Sequence, residues 1–406
     1  MRNVTLLSRR SRRVAMRTAR PLRAARLHHV GLGVALLTLA ACGGGVNVPT
    51  APAIIGTSPL PEEERVIGDG STTVAMLLPL SAGGSASGLA QSFQNAAELA
   101  LEEVGADNVR IVVRDTGGDT DTARLAAEAS ITSGAQLVLG PVFAPAVAGV
   151  GDPARAANVP VVAFSTDSSV AGRGVYLLSF LPRQDAERVV EYAAGTGLRS
   201  FAGLVPDNGY GLVMEAAFRE AVAARGGRVT GVERYAPGEV SAALTRLAPR
   251  GEFEALFVPN GGDDPAAVAA AMASQRINAR LLGSGQWDNA AVLAAQGLDG
   301  AWYPGPQRGG FEDFSRRYEA KYSVAPPRTA SLVYDAALLA NGLVGARGPG
   351  AFSQQSLQNA EGFIGVDGVF RLTSNGLSQR GLAVYEVGGG SASVVSPAPT
   401  KFGRTF

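Results

Sequence analysis

From Thr73 onward, short runs of consecutive apolar residues alternate with segments whose apolar residues recur at helical spacing, and this alternation constrains the fold more than any other feature of the chain. The first run, Val74-Ala75-Met76-Leu77-Leu78-Pro79-Leu80, is apolar at successive positions. A strand reads that way when both of its faces are covered. After a small-residue turn at 81–88, Leu89, Phe93, Ala96, Ala97, Ala100 and Val104 fall on one helical face. Strands are expected again at 109–113, 136–139 and 159–164, with helices near 120–133 and 144–157. Strands that alternate with helices form parallel sheets, because the helix carries the chain back to the starting edge.

A second series follows the strand at 175–180 and the junction Leu181-Pro182-Arg183. It reads as helix 184–194, strand 201–205, a turn from Pro206 to Gly211 that opens another helix, strand 228–235, helix 241–247, strand 255–258, helix 265–275 and strand 279–282. Two series of this size imply two α/β lobes. The remaining third carries helices at 311–322 and 330–343, strands at 368–372 and 381–387, and a Gly/Ser/Pro tail. These segments are expected to return and complete both lobes. The expected division is 72–182 plus about 308–372 for the first lobe and 183–307 plus about 373–390 for the second. The hinge between them is crossed about three times, and residues 391–406 form a flexible tail.

The N-terminus has a different composition. Residues 1–41 hold nine arginines, both histidines and no acid, and they end in an apolar run from Val30 to Ala41 before Cys42, the only cysteine among 406 residues. About 12 apolar residues fall short of the roughly 20 that cross a bilayer, so 1–41 reads as an export signal. Residues 42–71, with three glycines after Cys42 and then prolines and glutamates, read as a tether that buries too little apolar surface to fold. Without the leader, 27 basic residues face 35 acidic ones. A body of net charge −8 is a poor partner for nucleic acid.

The body has no imidazole, and its two lysines, Lys321 and Lys401, follow no phosphate-binding glycine loop. A Ser/His/Asp triad, a Cys/His dyad, a His-ligated zinc and a Walker-type nucleotide site are therefore excluded. Asp115, Asp119 and Asp121 lack the spacing of a calcium loop. The chain is thus expected to bind rather than catalyse, without metal or cofactor.

Two resemblances sharpen this reading. Leu39-Ala40-Ala41-Cys42 resembles the bacterial lipobox, which implies lipidation of Cys42 and membrane anchoring, and Gly43 after the cysteine implies the outer membrane, facing the periplasm. Gly140-Pro141-Val142, the 159–162 strand leading to Ser165-Thr166, the 207–211 turn, Tyr334-Asp335-Ala336 and Gly365-Val366-Asp367-Gly368-Val369-Phe370 resemble type I periplasmic binding proteins of the leucine/isoleucine/valine-binding kind. Residues 77–81, 115–118 and 163–167 look most like lipoproteins that activate penicillin-binding proteins, which share that fold.

The resemblance implies two Rossmann-like lobes closing on a small polar ligand, an amino acid or a cell-wall fragment. Ligands collect at the C-terminal ends of parallel strands. This places Ser81, Asp115, Phe143, Ser165, Thr166 and Asp167 on one rim, and Asn208, Tyr210, Asn260, Asp263, Gln286 and Trp287 on the other. Asp167 and Asp263 suit either a ligand ammonium or a helix N-cap. Tyr210 suits a ligand contact or cleft-wall packing, and Trp287 a ligand-stacking aromatic or a lid. The family's carboxylate-holding serine corresponds to Ala144, so that hydroxyl is missing. The implied partner is an ABC permease for a transport protein, or a peptidoglycan synthase for an activator.

Overall fold

A computed structural model describes residues 64–105, 108–348 and 350–403, all within the unit spanning 61–406. The leader and Cys42 lie outside the described residues.

The first lobe begins with β1 (Val66–Ile67), β2 (Thr72–Leu78), α1 (Ser85–Val104), β3 (Val109–Asp115), α2 (Thr120–Thr132), β4 (Val138–Leu139), α3 (Ala144–Ala156), β5 (Val161–Ala163) and β6 (Val175–Leu177). The sheet runs β1-β3-β2-β4-β5-β6, parallel except for β1. In β2 the period-2 geometry of a strand divides the side chains between two cores. Val74, Met76 and Leu78 join Phe93, Ala96 and Ala100 of α1 on one face. Ala75 and Leu77 meet Ala123, Ala127, Val147 and Val150 of α2 and α3 on the other. Such two-sided burial is why the run is apolar at every position.

The second lobe follows with α4 (Pro182–Gly195), β7 (Ser200–Pro206), α5 (Gly209–Ala224), β8 (Arg228–Tyr235), α6 (Val240–Leu247), β9 (Ala255–Phe257), α7 (Asp264–Gln275), β10 (Arg280–Leu282), α8 (Ala290–Leu293) and β11 (Trp302–Gly305). The chain then makes α9 (Arg308–Tyr322), α10 (Ala330–Arg347), α11 (Gln354–Leu357), β12 (Phe363–Gly365), β13 (Gly368–Leu372), β14 (Ser378–Arg380), β15 (Ala383–Gly388) and β16 (Ser391–Ser396). The second sheet is ordered β16-β15-β11-β10-β9-β7-β8, with β7 to β11 parallel and β15 and β16 antiparallel. Both sheets reverse strand order beside their first long strand. That is where the ends of a doubly wound sheet open a crevice.

The chain passes between lobes three times. Phe180 packs with the first-lobe core, whereas Ala186 and Val189 of α4 join the second. After β11, Phe314 and Tyr318 of α9 re-enter the first core beside α10, a helix apolar around most of its circumference. β14 pairs with β13, whose Phe370 and Leu372 belong to the first core, and β15 pairs with β11 of the second lobe.

Local pattern misplaced three features. The third passage lies after Arg380, not near 373, because residues 378–380 pair with β13. Residues 391–396, expected as flexible tail, form β16 and extend the second sheet, with Val395 packed on its core. Trp302-Tyr303-Pro304-Gly305 forms a strand that its Pro and Gly, both strand breakers, do not announce. It is held by pairing with β15, some 80 residues away in sequence.

Candidate functional site

The three passages between lobes enclose a cavity of about 650 Å³. Its apolar wall comes from Phe180, Leu181 and Pro182 at the first passage, Pro306 and Phe311 at the second, and Leu382 at the third. Polar groups join from both lobes: Thr166, Arg328 and Arg380 from the first, Gln184, Asp185, Tyr210, Gln286, Asp288 and Asn289 from the second. A concave, mostly apolar site with a few convergent polar groups is the usual form of a small-molecule pocket. A larger hollow of about 950 Å³, lined by Arg199, Arg228, Glu254 and Arg276, lies where β7, β8 and β9 begin. Ligands of doubly wound sheets collect at the opposite ends.

Of the twelve rim residues named from sequence, Thr166, Tyr210 and Gln286 line the cavity. The Tyr210 hydroxyl lies 3.2 Å from both the Pro259 carbonyl and Ser284 Oγ. Its burial pushes the phenol well above its ordinary range, so it stays protonated. Gln286 accepts the Gly261 N–H through Oε1 at 3.1 Å, which ties together the loops after β9 and β10.

The other nine sit at strand ends but outside the lining. Ser81 donates its backbone N–H to Asp115 Oδ1 at 3.1 Å, and Gly117 N–H donates to the same oxygen at 2.9 Å. Burial alone would raise the Asp115 carboxyl, but these hydrogen bonds hold it below the usual range. Phe143 precedes α3 with its ring against Gly118. Ser165 is buried and accepts the Asp167 N–H at 3.2 Å.

Asp167 caps the short helical turn 168–170 by accepting the Ser169 N–H at 2.9 Å, and hydrogen bonding from Ser169 lowers its pKa. Asn208 caps α5 through the Gly211 N–H at 2.9 Å. Asp263 is exposed and makes no side-chain cap. Its neighbour Asp264 instead accepts from Tyr235 at 2.7 Å and from Asn260 Nδ2 at 2.6 Å.

Trp287 does not face the cleft. It is fully buried, and its Nε1–H is shared between the Val258 and Asn260 carbonyls, each at 3.0 Å. Its ring is therefore part of the second-lobe core and is available neither for ligand stacking nor as a lid. Gly283 makes room for it, since a Cβ there would sit 2.3 Å from the indole.

Sequence reasoning missed the charged groups supplied by the passages. Asp185, in the first turn of α4, accepts the Gly285 N–H at 2.9 Å. Its recessed position pushes its pKa up to about 7 against the pull of that bond. Asp288 Oδ1 pairs with Arg308 Nη2 at 2.5 Å and accepts from Tyr303 at 3.3 Å. Arg328 pairs with the buried Asp367 at 2.5 Å and lies over the Phe311 ring at 4.3 Å. The junction at 181–183 was a local signal for Asp185 alone; Asp288, Arg308 and Arg328 carry none in the helix and strand pattern.

This architecture agrees with known proteins. A model of periplasmic binding proteins matches residues 71–391. A Leu/Ile/Val-binding protein homolog of Brucella abortus is 28% identical over 167 residues, 39% of this chain and 43% of that protein, so the match spans less than half of that relative's length. A crystal structure described as a branched-chain amino acid ABC transporter of Rhodospirillum rubrum superposes with a TM-score of 0.70 at 21% identity, covering 80% of this chain and 99% of that one. An ABC transporter substrate-binding protein of Desulfitobacterium hafniense, solved with Leu, superposes at 0.59 and 17% identity, covering 80% and 100%. The two parallel-rich lobes, their order of assembly and the match across 71–391 lead to one conclusion: the chain belongs to the type I periplasmic binding proteins of the leucine/isoleucine/valine-binding family.

Proposed function

We propose that this protein is the lipid-anchored, non-catalytic capture component of an ABC importer, closing its two lobes on a small polar ligand in the periplasm and delivering it to a permease. The observation that carries the reading is the cavity of about 650 Å³ at the interlobe passages, with Thr166 on one side and Tyr210 and Gln286 on the other. Lobe closure would bury a ligand among these groups, and hinge segments of a few residues suffice for such motion. The two similar crystal structures are described as a branched-chain amino acid ABC transporter and an ABC transporter substrate-binding protein, the latter solved with Leu. Cys42 supplies the anchor in this reading. Among the described residues, no helix is long and apolar enough to cross a membrane.

A thermal-shift screen tests the reading, because a ligand bound only by the folded state raises the melting temperature by mass action. At 100 times Kd the gain is about 2.7 kcal/mol. A shift with an amino acid or organic acid that Tyr210→Phe or Gln286→Ala weakens supports capture. Absence of any shift across such a screen refutes it.

One observation favours a second reading, an outer-membrane activator of a penicillin-binding protein. Phe143-Ala144-Pro145 at the start of α3 carries no hydroxyl, and Asp167 and Asn208 already spend their side-chain oxygens as caps. The rim of such a protein presents a surface instead of gripping a ligand. Pull-down of a peptidoglycan synthase, with no ligand-induced shift, would establish it.

A further inference from the structure

The last described residues reach from the second lobe back to the first. β16 ends at Ser396, and Ala398 is buried in the second-lobe core with Ala383, Tyr385 and Val387. Phe402 then lays its ring against the Arg371 guanidinium, at 4.6 Å, and against Gly362, where a Cβ would come within 2.9 Å of it. Both partners belong to the first lobe, since Gly362 leads into β12 and Arg371 lies in β13 between the core residues Phe370 and Leu372. Arg371 is itself fixed, donating to Gln379 Oε1 at 2.8 Å and to the Ala360 carbonyl at 3.2 Å. Residues 397–402, expected as part of a flexible tail, thus tie one lobe to the other.

The tie lies across the third passage from the cavity. Arg380 and Leu382 line the cavity. Gly381 between them donates its N–H to the Val369 carbonyl, which continues the pairing of β14 with β13. Successive positions of such an extended segment face opposite sides, and a Cβ on Gly381 would meet Val369 at 2.9 Å and Pro399 at 3.0 Å. Pro399 therefore sits on the back of the passage. Lobes that rotate about passages lying between cleft and tie close the cleft only by parting on the side of the tie. From Ala398 to Phe402 the chain spans at most about 14 Å when fully extended, and the rings of Pro397 and Pro399 stiffen its start. Its reach is limited.

Building on the reading that the two lobes close, we propose that residues 397–402 form a strap that brakes closure, with Phe402 as its latch on Arg371 and Gly362. Closing the cleft draws the strap taut and pulls the ring from its seat, whereas opening slackens it. The latch therefore weights the equilibrium toward the open arrangement, and a ligand has to bind the closed one more tightly by the same factor. A cation–π contact together with partial burial of one ring corresponds to about 3- to 10-fold in that equilibrium.

The test measures the distance between lobes in the full chain, in detergent and without ligand, by double electron–electron resonance. Spin-labelled unnatural amino acids replace Ser85, at the start of α1, and Leu212, in the first turn of α5; both are exposed and follow the strand ends that face the cleft. Phe402→Ala is expected to raise the ratio of short to long distances about 3- to 10-fold, while Phe402→Tyr, which keeps the ring, matches the parent. Circular dichroism should show all three folded alike, because Phe402 is only partly buried. An unchanged distribution in Phe402→Ala overturns the proposal, and so does a shift toward longer distances. An equal shift in Phe402→Tyr overturns the ring as the latch. None of these results bears on ligand capture, which the thermal-shift screen tests by itself.

Discussion

Replacing Trp287 by Phe separates a core residue from a ligand contact. The indole is fully buried, and its single N–H serves the carbonyls of Val258 and Asn260. Phe keeps one ring, loses about two to three methylene equivalents of buried surface at ~0.8 kcal/mol each, and leaves two carbonyls without their donor. An orphaned buried polar group costs about 1 to 3 kcal/mol. Together these terms predict a loss of about 4 kcal/mol or more, a large part of the 5 to 15 kcal/mol typical of a domain. Urea unfolding followed by far-ultraviolet circular dichroism would measure it as a lower midpoint at an unchanged slope. The parent should also show blue-shifted tryptophan emission resistant to acrylamide, since Trp302, the other tryptophan, is buried too. A stability change under about 0.5 kcal/mol, the range of ordinary surface substitutions, would refute the reasoning and restore Trp287 as a cleft residue.

Two further expectations follow from single side chains. Burial raises Asp335 to about 7, outweighing the pull of Arg380 and of the Val366 N–H. The folded chain then keeps a proton that the unfolded chain releases near 3.8, so stability falls as pH rises from about 4 to about 7. Asp335→Asn should remove up to about 4 kcal/mol of that fall, and parallel stability curves for the two proteins would contradict it. Asn208→Ala deletes the cap on α5 and should cost about 1 kcal/mol in a thermal melt, while Asn208→Ser restores it; a cost that Ser does not recover would point to a role beyond capping.

The two-lobed α/β architecture was legible because burial of a strand on both faces writes an unbroken apolar run, as in β2 and β9, and a helix packed on one side writes a 3.6-residue period, as in α1. Asp119 shows what local chemistry adds: it holds the backbone N–H groups of Asp121 and Thr122 at 2.9 Å, which makes it the cap of α2. Tyr210, Thr166 and Gln286 could be placed near the cleft because they sit at strand ends. Trp287 sits there as well, yet its ring turns into the core. A residue's position in sequence marks the end of a strand but leaves open which way the side chain points.

The sequence by itself determined which segments are buried, in what order they alternate, and which chemistries an imidazole-free body cannot perform. Those properties depend on neighbours within a few residues. Tertiary structure alone decided that 302–305 and 391–396 are strands, that the chain crosses back after Arg380, and that Phe180, Asp185, Phe311, Arg328 and Arg380 share one cavity. These residues are up to 200 positions apart. Only the segments returning from the far end of the chain, α10 and β13 to the first-lobe core and β15 to the second sheet, bring them together.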